Sequence, residues 1–210
     1  MAEVRPDSGE TRALLERIGR RDERALEELL VHHRADLRDF IDFHLDPRLK
    51  ARFDPSDVVQ ETQMELVRRM DDFLAQRPMP FRLWMRKKAY ERLLNLRRDH
   101  VERAKRSVRR EAPLPDRSSL LLARPLLANQ PTPSQEAEAR ELAERISKAV
   151  DQLTEADREI LLLRHAEDLP FEEIAVLLDL TAAAARKRFG RALIRLQNLL
   201  RSEGLLEDAP

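Results

Sequence analysis

Near the C-terminus of this chain two amphipathic segments, Phe171 to Leu178 and Thr181 to Leu200, are separated by only Asp179 and Leu180. Two residues allow a tight helix-to-helix turn and little else, so the spacing predicts a helix-turn-helix. Between Thr181 and Arg201 the second segment carries Arg186, Lys187, Arg188, Arg191, Arg195 and Arg201, and no Asp or Glu. The whole chain balances 39 basic against 39 acidic residues, so this local excess points to a polyanionic partner. A packed αα-hairpin with a solvated basic face is the bland alternative, and the charge asymmetry weighs against it. Thr181 is set to cap the second helix. Thr154 with Asp157 forms a short-side-chain capping box for a helix running to about His165.

Leu, Arg, Glu and Ala dominate the composition, and no alternating apolar and polar run of strand length occurs, so the predicted fold class is all-α. At 210 residues the chain has room for one or two domains with modest cores. Cysteine is absent, which removes disulfides, thiolate zinc sites and cysteine nucleophiles, and fits a reducing compartment. The polar N-terminus lacks a signal-type apolar core, and eighteen apolar residues nowhere run together. A cytosolic chain with no membrane partner is expected.

Four helical patterns fill the first hundred residues: Glu10 to Arg20, Glu23 to Leu45, one opening at Asp54-Pro55-Ser56-Asp57, and one following Pro78-Met79-Pro80. The third repeats apolar groups at Val59, Thr62, Leu66, Met70 and Phe73, and the fourth at Phe81, Met85, Ala89, Leu93 and Leu96. Spacings of three and four residues put each set on one buried face. Pro113, Pro115, Pro125, Pro131 and Pro133 then break any long helix, which predicts a flexible linker over 107–135. Leu120 to Leu122 and Leu126-Leu127 are odd for a solvated tether and suggest a docking contact. Beyond it, Gln135 to Gln152 reads as an acidic helix. Two small helical domains, 10–106 and 136–203, are therefore expected.

A second basic cluster lies between Arg82 and Arg110, with twelve cations against Glu91, Asp99 and Glu102. Such a surface binds nucleic acid through phosphate neutralisation, with steep salt dependence and little base preference. Phe81 and Trp84 lie beside it in sequence, as aromatic platforms for unpaired bases do; the competing reading makes both of them core anchors. Catalysis has no signature here. Gly9, Gly19, Gly190 and Gly204 are too scattered for a phosphate-cradling loop, and His32, His33, His44, His100 and His165 show no metal-ligand spacing. Neither a metal nor a cofactor is expected.

Three blocks together resemble the extracytoplasmic-function group of the sigma-70 family, bacterial factors that give RNA polymerase its promoter specificity. Asp54-Pro55-Ser56-Asp57-Val58-Val59-Gln60-Glu61 is similar to the family's region 2.2, which grips the polymerase clamp. Phe81-Arg82-Leu83-Trp84-Met85 and the basic helix after it resemble regions 2.3 and 2.4, which melt and read the minus-ten element. Leu153 to Leu200 resembles region 4, with Phe171-Glu172-Glu173-Ile174-Ala175 ahead of a minus-thirty-five recognition helix. The blocks stand in the family's order and cover most of the chain outside the linker. The resemblance implies that Asp54, Asp57, Gln60, Glu61 and Glu65 bind core polymerase. It assigns minus-ten contacts to Phe81, Trp84, Arg86, Lys87, Arg92, Asn95, Arg97 and Arg98, and minus-thirty-five contacts to Thr181, Arg186, Lys187, Arg188 and Arg191. Core RNA polymerase and promoter DNA are then the partners, with an anti-sigma factor as a further one.

The chain also departs from the family pattern. Lys88 and Glu91 stand where an apolar residue and Asn are usual, Pro170 replaces a Ser or Thr cap, and Asp179 replaces the turn glycine. Ala182 to Ala185 occupy positions where polar groups often reach base edges. Alanine touches thymine methyls but forms no hydrogen bond, so base reading falls to Arg186, Arg188 and Lys187, and minus-thirty-five recognition should be loose. Two cationic helices on tethered domains suit a duplex with two sites, because the tether makes the second contact intramolecular. The other reading is a dimeric helix-turn-helix regulator that binds DNA without polymerase.

Overall fold

The computed structural model describes residues 4–45, 47–50, 52–106, 145–146 and 148–205, and among them every regular element is a helix. Two compact units divide the chain, one within Val4–Pro113 and the other within Leu114–Pro210. The predicted linker 107–135, its leucine patches and the acidic run Glu136 to Glu144 lie outside the described residues.

Seven helices build the N-terminal unit: α1 Gly9–Gly19, α2 Glu23–His32, α3 Arg34–His44, α4 Pro47–Lys50, α5 Pro55–Arg68, α6 Met70–Gln76 and α7 Phe81–Arg106. Local chemistry accounts for the starts of three. The side chains of Ser8, Asp22 and Asp54 accept from backbone N–H groups of the first turns of α1, α2 and α5, and Pro55 stands at the first helical position of α5. The predicted stripes Val59, Thr62, Leu66, Met70, Phe73 and Phe81, Met85, Ala89, Leu93, Leu96 are all buried, against Leu29, Leu37, Phe40 and Ile41.

Two of the four predicted helices are broken. The span Glu23 to Leu45 kinks at His33 (φ −94°, ψ 0°), and the third pattern breaks at Arg69 (φ −105°, ψ 10°). Apolar periodicity runs through both breaks, because the helices on either side bury their stripes in the same core, so the pattern conceals the turn. At the first break the reason is tertiary: the His33 ring shares a 2.9 Å hydrogen bond with the Thr11 hydroxyl and lies 5.2 Å from the Phe81 ring.

The C-terminal unit contains helical residues 145–146 and 148–151, then α8 Glu155–His165, α9 Phe171–Leu177 and α10 Ala182–Ser202. Thr154 and Thr181 cap α8 and α10 as predicted, each accepting from the N–H three residues on. Pro170 precedes α9 with no side-chain cap, and Asp179 takes the left-handed conformation (φ 51°) that a glycine would hold without strain. Ile160 to Leu163, Ile174, Leu177, Ala185, Ala192, Leu196 and Leu200 form its core. The buried Asp157 carboxylate, expected to complete a capping box with Thr154, accepts instead from Arg195 and ties α10 to α8.

Candidate functional site

Of the five residues assigned to polymerase binding, Asp54 precedes α5 as its cap, Asp57, Gln60 and Glu61 are exposed at adjoining positions of that helix, and half-buried Glu65 follows one turn after Glu61. Helical spacing puts Asp57, Gln60, Met64 and Val67 on a single stripe of α5, and all four are exposed. Beside it Val31 of α2 is 66% exposed, Met64 52% and Val67 44%, unusually bare for large apolar side chains. Leu30, Val31, Glu27, Gln63 and Val67 line an open groove of about 340 Å³ between α2 and α5, and Gln63 bridges it by donating to the Leu30 carbonyl at 3.2 Å. Glu61 and Glu65, one and two turns on from Asp57, adjoin this stripe and carry ion pairs. Glu61 accepts from Arg92 of α7, and Glu65 accepts from Arg68 and Arg69 of its own helix end. The Arg69 hydrogen bond, before any other cause, holds the Glu65 carboxyl below the ordinary carboxylate range. Asp54 serves as the α5 cap, and the Ser56 backbone N–H, donating at 2.7 Å, is the first reason its carboxyl is held low.

On α7 the predicted exposed aromatic platform is overturned. Phe81 is fully buried and Trp84 is 7% exposed; Trp84 stacks on Phe73 at 4.3 Å with the planes 19° apart, and Phe81 packs edge-on to Phe73. Both are core anchors, because the first turns of α7 plug the centre of the unit. Arg86 also turns inward, with its guanidinium 5.2 Å from the centre of the Phe40 ring. Lys88 pairs with Glu91 at 2.7 Å, so two departures from the family pattern answer each other. Arg92 is held by Glu61, and Arg98 donates to Asn95. Lys87 and Arg97 are half-buried, which leaves Leu94, Asn95, Arg98 and Asp99 as the exposed group among the described side chains of this helix. The side chains of residues 100–106 lie outside those described, and with them Arg103, Lys105 and Arg106.

In the C-terminal unit Thr181, Ala183, Ala184, Arg186 and Lys187 are exposed at the start of α10, and Arg191 follows one turn on. The three cations are not equivalent. Arg186 donates to Glu172 of α9 and lies over the Phe171 ring at 5.6 Å, whereas Lys187 and Arg191 meet along α10 itself, through a 3.4 Å contact from Arg191 to the Lys187 carbonyl. Arg188 is half-buried. Sequence reasoning named every one of these cations and missed Val31, Met64 and Val67. Their signal was available for two of them, since Met64 and Val67 fall off the buried stripe of α5 and so had to face outward.

Among the described residues no group of His, Cys, Asp and Glu is arranged to hold a metal ion, and no helix is long and apolar enough to cross a membrane. The arrangement offers two basic helices and one apolar ridge edged by Asp57 and Gln60. A family profile described as "Sigma-70, region 4" matches residues 143–196. The RNA polymerase sigma factor CnrH of Cupriavidus metallidurans is 30% identical over 147 residues, which cover 70% of this chain and 73% of CnrH. The structure of CnrH in complex with the cytosolic domain of CnrY aligns over 92% of this chain and 99% of that one, with a TM-score of 0.56 at 23% identity. The sigma factor RpoE of Bartonella quintana, in complex with the anti-sigma factor NepR, aligns over 83% of this chain and 96% of its own with a TM-score of 0.55 at 20% identity. At those identities the two structures speak for the fold. Together with the sequence match and the ordered helical blocks, they mean that the chain belongs to the extracytoplasmic-function group of the sigma-70 family of RNA polymerase sigma factors.

Proposed function

We propose that this sigma factor docks on core RNA polymerase through the ridge of α5 and its groove with α2, reads the minus-ten element with α7, and reads the minus-thirty-five element with α10. The carrying observation is the ridge. Exposed Met64, Val67 and Val31 sit beside Asp57 and Gln60 on the surface of a unit whose other apolar stripes are buried, which is the composition of a protein-binding patch. A partner helix with apolar anchors and a basic residue for Asp57 fits it. On the DNA side, exposed Arg98 on α7, with the Asn95 amide beside it, and Arg186, Lys187 and Arg191 on α10 supply cations in two separate units. No chemistry is asked of the chain: binding energy from both DNA elements offsets strand separation at the start site. An anti-sigma factor is a further expected partner, since CnrH and RpoE are each described in complex with CnrY and NepR respectively.

The test is addition of the purified chain to core polymerase, read as promoter-specific transcription. Promoter-dependent transcripts that need both components support the reading, and Asp57→Arg or Val67→Asp should weaken association with core. A chain that ignores core and instead binds, as a dimer, two half-sites one helical turn apart would establish the regulator reading.

A further inference from the structure

The assignment of α10 to the minus-thirty-five element, on which this inference rests, leaves a helix whose first turn offers only the methyl groups of Ala182, Ala183 and Ala184, Ala185 being buried, followed by cations. Most of those cations have long, mobile side chains, good for phosphates and poor for telling one base pair from another. Arg186 is built differently. Its guanidinium donates to Glu172 Oε1 and lies 5.6 Å from the centre of the Phe171 ring, over which Arg164 of α8 also sits at 5.5 Å. Phe171 stands edge-on to Phe189 of α10 at 5.4 Å, and Phe189 leans on His165 of α8 at 5.4 Å. A ring cluster drawn from all three helices therefore fixes the platform under the guanidinium. Glu172 is three-quarters buried, and its second oxygen, Oε2, is enclosed with no hydrogen-bond partner among the described residues, so the carboxylate acts on Arg186.

From this geometry we infer that Arg186 is the specificity-determining side chain of α10, and that Phe171, Glu172 and Arg164 are positioning residues that hold it for a single base pair. A guanidinium has five N–H donors in a rigid fork. With part of that fork on Glu172, the remaining edge is pre-aimed, and two parallel N–H donors match the O6 and N7 acceptors of guanine in the major groove. The carboxylate has a second consequence. It offsets the charge of Arg186, which keeps that side chain from collapsing onto any nearby phosphate and leaves sequence-independent attraction to Lys187, Arg188 and Arg191. Recognition by this helix is then narrow rather than uniformly loose: sharp at the base pair under Arg186 and permissive under the alanines.

Full-length chain with core polymerase, challenged with promoter DNA randomised across the minus-thirty-five positions and sequenced after selection, tests this directly. Wild type should select guanine at one position by roughly 5- to 150-fold, the range of a good bidentate arginine contact, and Arg186→Ala should erase that preference alone. Glu172→Gln should reduce the same preference by at least about threefold. On random-sequence DNA it should bind more tightly, with the slope of log K against log salt steeper by about 0.9, one added phosphate contact. In the Arg186→Ala background Glu172→Gln should change neither. Phe171→Leu keeps an apolar side chain without the ring and serves as the second variant; it should weaken the same single preference. The inference is overturned if Glu172→Gln and Phe171→Leu, folded by circular dichroism, keep the wild-type selection profile and salt slope. If wild type with core selects no promoter set at all, the sigma-factor reading of α10 fails first, and that result is distinct.

Discussion

The helix that carries the minus-ten candidates is capped from the other end of its unit. Pro80 precedes α7 and has no side-chain acceptor, yet Phe81 N–H and Arg82 N–H donate to the Asp7 carboxylate at 2.7 and 3.1 Å. Removing the acceptor as Asp7→Ala leaves two first-turn donors of a buried helix start to find water. Hydrogen bonds to a charged acceptor contribute about 1.5–3 kcal/mol each, but deleted caps cost about 0.5–2 kcal/mol in total because solvent partly replaces them. Asp7 is only half-buried, so we expect a loss of about 1–2 kcal/mol for the N-terminal unit. For a unit of about 100 residues that lowers the melting midpoint by roughly 5–12 °C. The assay is built in. Trp84 is the sole tryptophan, one turn into α7 and stacked on Phe73, so its fluorescence reports the N-terminal unit alone. Asp7→Asn keeps one acceptor oxygen and should recover at least half of the loss. If Asp7→Ala unfolds within about 0.5 kcal/mol of wild type, the range of an ordinary surface change, the cap does not stabilise α7 and the reasoning is wrong.

Trp84→Ala should cost the N-terminal unit about 3–5 kcal/mol in urea titrations followed by circular dichroism, as a buried aromatic does; a cost below about 1 kcal/mol would return Trp84 to the surface. Val67→Asp should weaken association with core polymerase at least about tenfold while leaving the Trp84 melting midpoint in place, a combination that only a surface contact produces. Burial, ahead of the neighbouring charge of His32, holds the His33 pKa below its ordinary value, so the folded unit keeps this ring neutral. The unfolded chain takes up that proton near pH 6.5, which means the contribution is complete above about pH 6.5 and declines as pH falls below it. Melting midpoints should drop from about pH 7 to about pH 5.5, and His33→Gln should flatten that segment; equal slopes in the two proteins would exclude His33 as the cause.

Much of this molecule is written in interactions that span four residues or fewer. The caps Asp54, Thr154 and Thr181, the buried stripes of α5 and α7, and the tight turn that puts Asp179 at φ 51° all follow from side chains acting on their own or the next turn of backbone. Those local rules suffice for an all-helical chain with a basic helix-turn-helix, and the ordering of its blocks carries the family. What they leave open is which face of each charged helix is spent inside the protein. Glu61 and Asp57 look alike in sequence and both are exposed, yet Glu61 is paired with Arg92, 31 residues away. Phe81 and Trp84 could as well have met bases as Phe73. Arg186 differs from Lys187 because Glu172 and Phe171 come from another helix, and α7 is capped from 74 residues away. Tertiary packing alone decides such pairings, since a helix fixes the neighbours of each side chain along its own axis and says nothing of what is brought across to it.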